Sequence, residues 1–492
     1  MKQSFYEIFS ELNKVSRPSH HEGKVADWLC QFAEKHGLKY RRDAENCVVI
    51  EKPATPGYED AAPVVILNHM DMVCVAKDDY LRDGRKFDPM NDEIRAYVET
   101  DENGVRWMKA EGTSLGADNG VGLSMALAVL TDDSLVHPAL EVLTTTNEED
   151  GMSGAEALSL DFIKGRKIVN LDSEDYDTVT VGAAGAFLQI AHWTPTWKQV
   201  PEGYVYHRIV IDGGLGGHSG LDVHKKRCNC NRELGLFMCG EPQNALINGQ
   251  MVVCTMGGGT ANASISSGAS AVVAIDPAFN ETLAGLVAQF NETLKTARET
   301  DPGINIRIEE AAACDKCLDT AVALNVLRSI HDLPCGVIEM HKEIPGTVLT
   351  SNNVGVLHVS DDDITVSCHT RSFSNDEMHR YAEAIKETFE SNHATVKQLM
   401  DTGSWFEDPN STLLETTCNT FKDVLGFEPN KIAIHAVLEC AYFVQKYPGV
   451  QIASIGPLII EPHSTSERIN LDTADNIWKV VVELLKRLAA EK

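Results

Sequence analysis

Pro63-Val64-Val65-Ile66-Leu67-Asn68-His69-Met70-Asp71-Met72-Val73 is an apolar run that stops on a histidine and, two residues later, an aspartate. The run up to Leu67 reads as a buried strand. In extended backbone the side chains at i and i+2 share a direction, so His69 and Asp71 project together past the strand end. A histidine with a carboxylate beside it is a metal ligand with its own orienting partner. The same pair also occurs as a strand cap or a tuned histidine, so alone it decides little.

The arrangement recurs. Asp118 stands in Gly-Thr-Ser-Leu-Gly-Ala-Asp-Asn-Gly (112–120), just ahead of a helical pattern from Val121 to Leu130. Glu148 and Glu149 follow the run 140–146, Asp172 follows 167–171, and His463 comes a short loop after 452–457. In open α/β sheets functional groups gather outside the carboxyl ends of the strands, so residues spread over almost the whole chain can converge. Two histidines with several carboxylates suit Zn2+, Mn2+ or Co2+ better than copper or calcium.

Helical periodicity covers 5–16 and 22–36. From about 46 to 186, strand-like runs alternate with helical patterns, which predicts an α/β fold: a mixed, mostly parallel sheet with helices on both faces. The alternation resumes near 405, with helices over 412–425, 438–446 and 472–490 and strands over 431–434 and 451–455. One catalytic domain is therefore expected from 1–186 and 403–492. The intervening 187–402 reads as an inserted α+β domain. Strand-like runs at 205–211, 251–256, 270–275 and 304–308 surround a helix over 279–297. A second stretch repeats that plan with helices over 319–331 and 375–391 and strands at 336–342, 347–358, 364–367 and 395–399, an internal duplication in outline. Placed between Asp172 and His463, the insert leaves the candidate ligands on one rigid domain and acts as a movable lid that excludes water.

The chain of 492 residues exceeds one compact core. Its formal charge of −29 disfavours nucleic acid, whose binding rests on lysine and arginine. No secretory signal and no apolar run of membrane-spanning length is visible, so a cytoplasmic protein without membrane contact is expected. Thirteen cysteines without a signal read as reduced thiols. Cys314-Asp315-Lys316-Cys317 lacks a second CxxC, and Gly-Gly-Gly-Thr (257–260) lacks the Gly-Lys-Ser/Thr of a phosphate loop.

The segments His-Met-Asp (69–71), Gly-Ala-Asp-Asn-Gly (116–120), Asn-Glu-Glu-Asp-Gly-Met-Ser-Gly-Ala (147–155), Asn-Leu-Asp-Ser-Glu (170–174), Gly-Gly-His-Ser-Gly (216–220) and Pro-His-Ser-Thr-Ser-Glu-Arg (462–468) together resemble the M20 family of dinuclear metallopeptidases, in its aminoacyl-histidine dipeptidase branch. The resemblance spans essentially the full length and implies a zinc-exopeptidase-like catalytic domain holding two divalent ions, zinc first, with cobalt or manganese as alternatives. It implies that Asp118 bridges them, that His69 and Asp172 serve one ion and Glu149 and His463 the other, and that Asp71 orients His69. Adjacent glutamates cannot be told apart by spacing, and the resemblance is what makes Glu148 the general base. It also implies that His218 stabilises the oxyanion, from its own chain or from a neighbouring subunit of a homodimer. Arg371 would grip the substrate carboxylate, Asn262 assist the carbonyl and Glu439 receive the substrate amino group, while Ser464 to Ser466 orient His463. Val437 stands where the family pattern has glycine, a departure that bears on fine specificity.

The activity so implied is hydrolysis of unblocked dipeptides, with Xaa-His substrates such as β-alanyl-histidine. An N-acyl-amino-acid deacylase or carboxypeptidase on the same scaffold is the alternative, separated by whether the site takes a free amine or an acyl group. A silent binding protein would have lost a ligand or the base, and every position is filled.

Overall fold

The computed structural model describes residues 3–342 and 346–491. These form two compact units. One holds the chain up to Gly182 with 405–433 and everything from Glu439 on, and the other holds 183–404 with 434–438.

The first unit is built on a nine-stranded mixed sheet. Its centre is parallel: Leu140–Thr145, Val64–His69, Lys167–Asn170 and Gln451–Ser454, in that order. Antiparallel strands flank it, Val48–Lys52 and Lys39–Arg42 on one side and Thr178–Ala183 on the other. Val64–His69 and Leu140–Thr145 are buried at every position, which is why they read as unbroken apolar runs. On one face Val64, Ile66, Val142 and Val169 join a core with helices Phe5–Leu12, Gly23–Lys35, Ala117–Thr131, Thr412–Leu425 and Leu471–Ala490. Val65, Leu67, Leu143 and Ile168 point the other way and are buried as well, so both faces are covered.

Ala117–Thr131 carries no exposed residue, the mark of a helix enclosed on all sides. Its close approach to the end of Lys167–Asn170 depends on Gly122, where a Cβ would lie 2.2 Å from the Leu171 carbonyl oxygen. The short loop expected after residue 457 is more structured than periodicity suggests. Ile459–Ile460 and Arg468–Asn470 pair as a hairpin, extended by Arg106–Ala110 and Ala96–Thr100 into a four-stranded sheet. Residues 461–467 form the tip of that hairpin.

The second unit holds an antiparallel sheet ordered Asn305–Glu310, Val205–Asp212, Ala269–Ile275, Met251–Gly258, Val348–Val359, Ile364–Ser372, Gly185–Trp193, Thr395–Thr402. Gly336–Met340 pairs alongside Val348–Val359. Helices Cys230–Met238, Asn280–Thr293, Thr320–Asp332 and Asn375–Ser391 share one core on it. Apart from the extra short helix Pro242–Ile247 in the first half and the extra strand Gly336–Met340 in the second, each half runs strand, helix, two strands, helix, strand, and the halves meet where Gly258 pairs with Leu357. Gly185–Trp193 lies between strands of the second half, so the first half is inserted after that strand rather than preceding a separate repeat.

Replacing Gly122 with alanine forces a methyl group against the Leu171 carbonyl, overpacking that costs about 1–3 kcal/mol. We expect Gly122→Ala to lower the urea midpoint with the m-value unchanged.

Candidate functional site

The carboxyl ends of the parallel strands, the start of helix Ala117–Thr131 and the 461–467 hairpin tip bring ligand-type side chains together. His69 ends Val64–His69, fully buried, with Nε2 3.1 Å from Asp118 Oδ1 and 3.2 Å from Asp172 Oδ1. The second oxygen of Asp118 is 3.0 Å from His463 Nε2, which is also 2.7 Å from Glu149 Oε2. Asp118 thus stands between two imidazoles, each beside a further carboxylate. Ligand-capable atoms of His69, Asp118 and Glu149 lie within 4.8 Å of one another, as do those of His69, Glu148 and Asp172.

Local structure explains the convergence. The aspartate two residues beyond His69 turns back so that Asp71 Oδ1 faces His69 Nδ1 at 3.4 Å. Asp71 also accepts hydrogen bonds from Ser19 Oγ at 2.8 Å and from the backbone N–H groups of Glu148 at 3.1 Å and Glu149 at 3.2 Å. One carboxylate therefore fixes both an imidazole and the glutamate pair. Asn147, which starts that turn, has φ 54, and His463 has φ 58. Left-handed backbone at non-glycine residues costs energy and clusters at functional sites. Glu22 supports the turn, accepting from the N–H of Asn147 at 3.0 Å.

The electrostatics are severe. Burial, reinforced by Asp172, Glu149 and Glu439, pushes the Glu148 carboxyl well above the usual range. Burial and the neighbouring Asp118 raise Asp172 to about 6, Glu149 to about 7 and Glu174 to about 8. Burial alone would lower the histidines, but Asp172 and Asp118 hold His69 well above its normal value, and Asp118 and Glu149 bring His463 up to about 11. Glu149 Oε1 is buried without a hydrogen-bond partner. Crowded carboxylates beside imidazole nitrogens are a donor set that divalent cations satisfy. The residues present fit such ions.

Glu439 lies in the same unit at the start of helix Cys440–Lys446 and is 1% exposed. Its Oε2 accepts from Thr145 Oγ1 at 2.6 Å, while among the described residues Oε1 has no hydrogen-bond partner. Burial raises its carboxyl to about 8. Among the described residues the serines after His463 make no hydrogen bond to its ring: Ser464 Oγ donates to the Glu461 carbonyl and accepts from Ser466 N–H. They shape the hairpin tip instead of orienting the imidazole.

His218, Asn262 and Arg371 belong to the second unit. Arg371 is 3% exposed, and among the described residues its guanidinium has no hydrogen bond or ion pair, with Nε buried and unsatisfied. Burial alone draws its pKa down to about 10. Burial and the nearby Arg371 charge also lower His218 to about 4 and His435 to about 3. His218 Nδ1 accepts from the N–H groups of Gly220 at 3.2 Å and Leu221 at 3.0 Å, so a neutral ring carries its proton on Nε2. His369, two residues before Arg371, has both ring nitrogens buried and unpartnered. A buried guanidinium with no ion pair among the described residues, beside the unpartnered ring of His369, makes an anion-receptive cluster, while the nearby Asp222 carboxylate accepts from the His218 backbone N–H at 2.8 Å. The Asn262 backbone carbonyl accepts from Asn353 Nδ2 at 3.0 Å.

Several of these residues escape sequence reasoning. Ser19 and Glu22 lie in Ser-Arg-Pro-Ser-His-His-Glu (16–22), a dense polar stretch between helices that carried no metal-ligand spacing. Glu174 sits two residues beyond Asp172 in a quoted segment, and alternation offered the only signal. His369 and His435 had none.

A carboxyl that stays protonated in the folded state to about pH 8, but ionises near 4.5 when unfolded, gives stability that is lost as pH rises between those values. In metal-free protein we therefore expect Glu439→Gln to flatten the fall in unfolding free energy from pH 5 to 8, measured by urea denaturation.

The model of peptidase family M20/M25/M40 matches residues 65–487. The chain is 31% identical to the cytosol non-specific dipeptidase of Escherichia coli strain K12, over 99% of this chain and 98% of that one. The crystal structure of aminoacylhistidine dipeptidase from Vibrio alginolyticus superposes with a TM-score of 0.84 at 32% identity, covering 98% of this chain and 96% of that one. A tripeptidase structure from Staphylococcus aureus shares the fold at 14% identity and a TM-score of 0.62, over 100% and 99% of the two chains. No helix among the described residues is long and apolar enough to cross a membrane. The chain belongs to peptidase family M20/M25/M40 and is a peptide hydrolase.

Proposed function

We propose that this chain hydrolyses unblocked dipeptides, Xaa-His among them, at a pair of divalent cations. The observation that carries the reading is Asp118 standing 3.0–3.1 Å from two imidazoles, each itself 2.7–3.2 Å from a further carboxylate. His69, Asp118 and Asp172 would hold one ion, and Asp118, Glu149 and His463 the other, with zinc the best match to imidazole and carboxylate and cobalt or manganese acceptable. Such ions supply Lewis acidity toward the scissile carbonyl and lower the pKa of the attacking water.

The chain's own groups do the rest. Glu148 is the general base: next to Glu149, with a carboxylate oxygen grouped with the ligand-capable atoms of His69 and Asp172, it takes a proton from water and returns it to the departing amine. Asp71 keeps His69 in one tautomer and anchors the backbone of Glu148. Neutral His218, protonated on Nε2, is a donor for the developing oxyanion. Arg371, without a counter-ion, takes the terminal carboxylate, and Asn262 assists the carbonyl. Glu439 Oε1, buried and unpartnered, receives the free amino group, which favours dipeptides over N-acyl substrates. Similarity to a protein named for the cytosol supports cytoplasmic residence. A small peptide is the only partner this reading needs, and a homodimer is compatible with it.

A hydrolysis panel on zinc-reconstituted protein tests this reading. Free dipeptides, with Xaa-His among the best, should be cleaved in preference to their N-acetylated forms, and the reverse order would establish a deacylase. Glu148→Ala should retain both ions by elemental analysis while kcat falls by roughly 10²–10⁴-fold. Loss of an ion would exchange the roles of Glu148 and Glu149. Arg371→Ala should raise KM for dipeptides and leave dipeptide amides unaffected.

A further inference from the structure

Glu467 is the last residue but one of the Pro-His-Ser-Thr-Ser-Glu-Arg segment (462–468), yet nothing in the reaction above uses it. It is 3% exposed and lies four residues past His463 at the end of the hairpin tip. Its two carboxylate oxygens face four successive backbone N–H groups. Oε2 accepts from Leu115 at 2.7 Å and Gly116 at 2.9 Å, and Oε1 accepts from Ala117 at 2.7 Å and Asp118 at 3.4 Å.

Successive amides turned to one side make a concavity suited to an anion. Here the left-handed backbone of Gly116, φ 66, turns them that way. On the same loop, buried Arg17 donates from Nη2 to the Gly116 carbonyl at 2.7 Å and from Nη1 to the Asp71 carbonyl at 3.2 Å. A Cβ on Gly116 would lie 2.5 Å from Arg17 Nη2, so only glycine admits that approach. The loop that ends on Asp118 is thus held by a carboxylate through its amides and by a guanidinium through its carbonyl. The guanidinium ties it to the His69–Asp71 segment, and the carboxylate ties it to the hairpin that carries His463.

We infer that Glu467 is a positioning residue: it sets the Asp118 carboxylate at its place between His69 and His463 and thereby the spacing of the two ion sites. The inference rests on the functional reading above, in which Asp118 is a shared ligand. A glutamine keeps the shape but has one acceptor oxygen and an NH2 group that opposes the amides it meets. An aspartate keeps both acceptors on a shorter arm.

The test compares Glu467→Gln and Glu467→Asp with the unaltered protein. In metal-free Glu467→Gln, hydrogen exchange of amides 115–118 should accelerate while the central strands stay protected. Its Zn2+ affinity, by competition with a chromophoric chelator, should fall about 10–100-fold, the usual cost of losing a group that orients a ligand. On a dipeptide, kcat should drop with KM held within about twofold, and Glu467→Asp should recover part of the Zn2+ affinity. Unchanged exchange at 115–118 in both variants overturns the inference, as does exchange that speeds equally throughout the first unit, which marks general destabilisation. If the unaltered protein takes up no zinc, the functional reading falls. The exchange comparison still decides whether Glu467 holds the loop.

Discussion

Carboxylates buried around one imidazole cannot all stay ionised unless positive charge lies among them. That constraint governs the first unit. Asp118, Asp172, Glu148 and Glu149 surround His69, and the raised pKa values of three of them express how little the protein itself offsets their repulsion. Asp118 escapes because two imidazoles hydrogen-bond to it, which keeps its carboxyl below the usual range although burial acts the other way. A site arranged in this way stores unfavourable charge that divalent cations relieve, and the surrounding framework has to hold it together.

The framework does so with backbone rather than with more charge. Parallel strands Val64–His69, Leu140–Thr145 and Lys167–Asn170 deliver their side chains to one edge. Asp71, Glu22 and Glu467 then collect backbone N–H groups from the loops that carry these side chains, while Arg17 collects their carbonyls. Buried charged groups here are spent on geometry, each hydrogen-bonded to peptide groups that would otherwise lack partners. The second unit shows the opposite polarity. Arg371, His218, His369 and His435 come together, and among the described residues the Arg371 guanidinium has no ion pair, so its unsatisfied capacity is for anions.

Much of this was legible from the chain. The central strands are covered on both faces, so their apolar runs are unbroken and end abruptly on polar side chains. Helices such as Thr412–Leu425 and Asn375–Ser391 have one buried stripe and appeared at their observed bounds. Short pairings were not legible. Ile459–Ile460 and Arg468–Asn470 are too brief for any periodicity, and they exist because Arg106–Ala110 supplies a long-range partner. The insertion of one half of the second unit after Gly185–Trp193 was hidden for the same reason: strand neighbours are set by hydrogen bonds across hundreds of residues.

The sequence by itself determined the chemistry available, since imidazole and carboxylate types at strand ends decide which cofactors can be held, and the burial pattern decides that those ends share an edge. Only the tertiary structure decided the distances. Asp118 sits between His69 and His463 because Glu467 and Arg17, from opposite ends of the chain, meet on the loop before it. Such contacts depend on where folded segments pack, and no spacing along the chain encodes them.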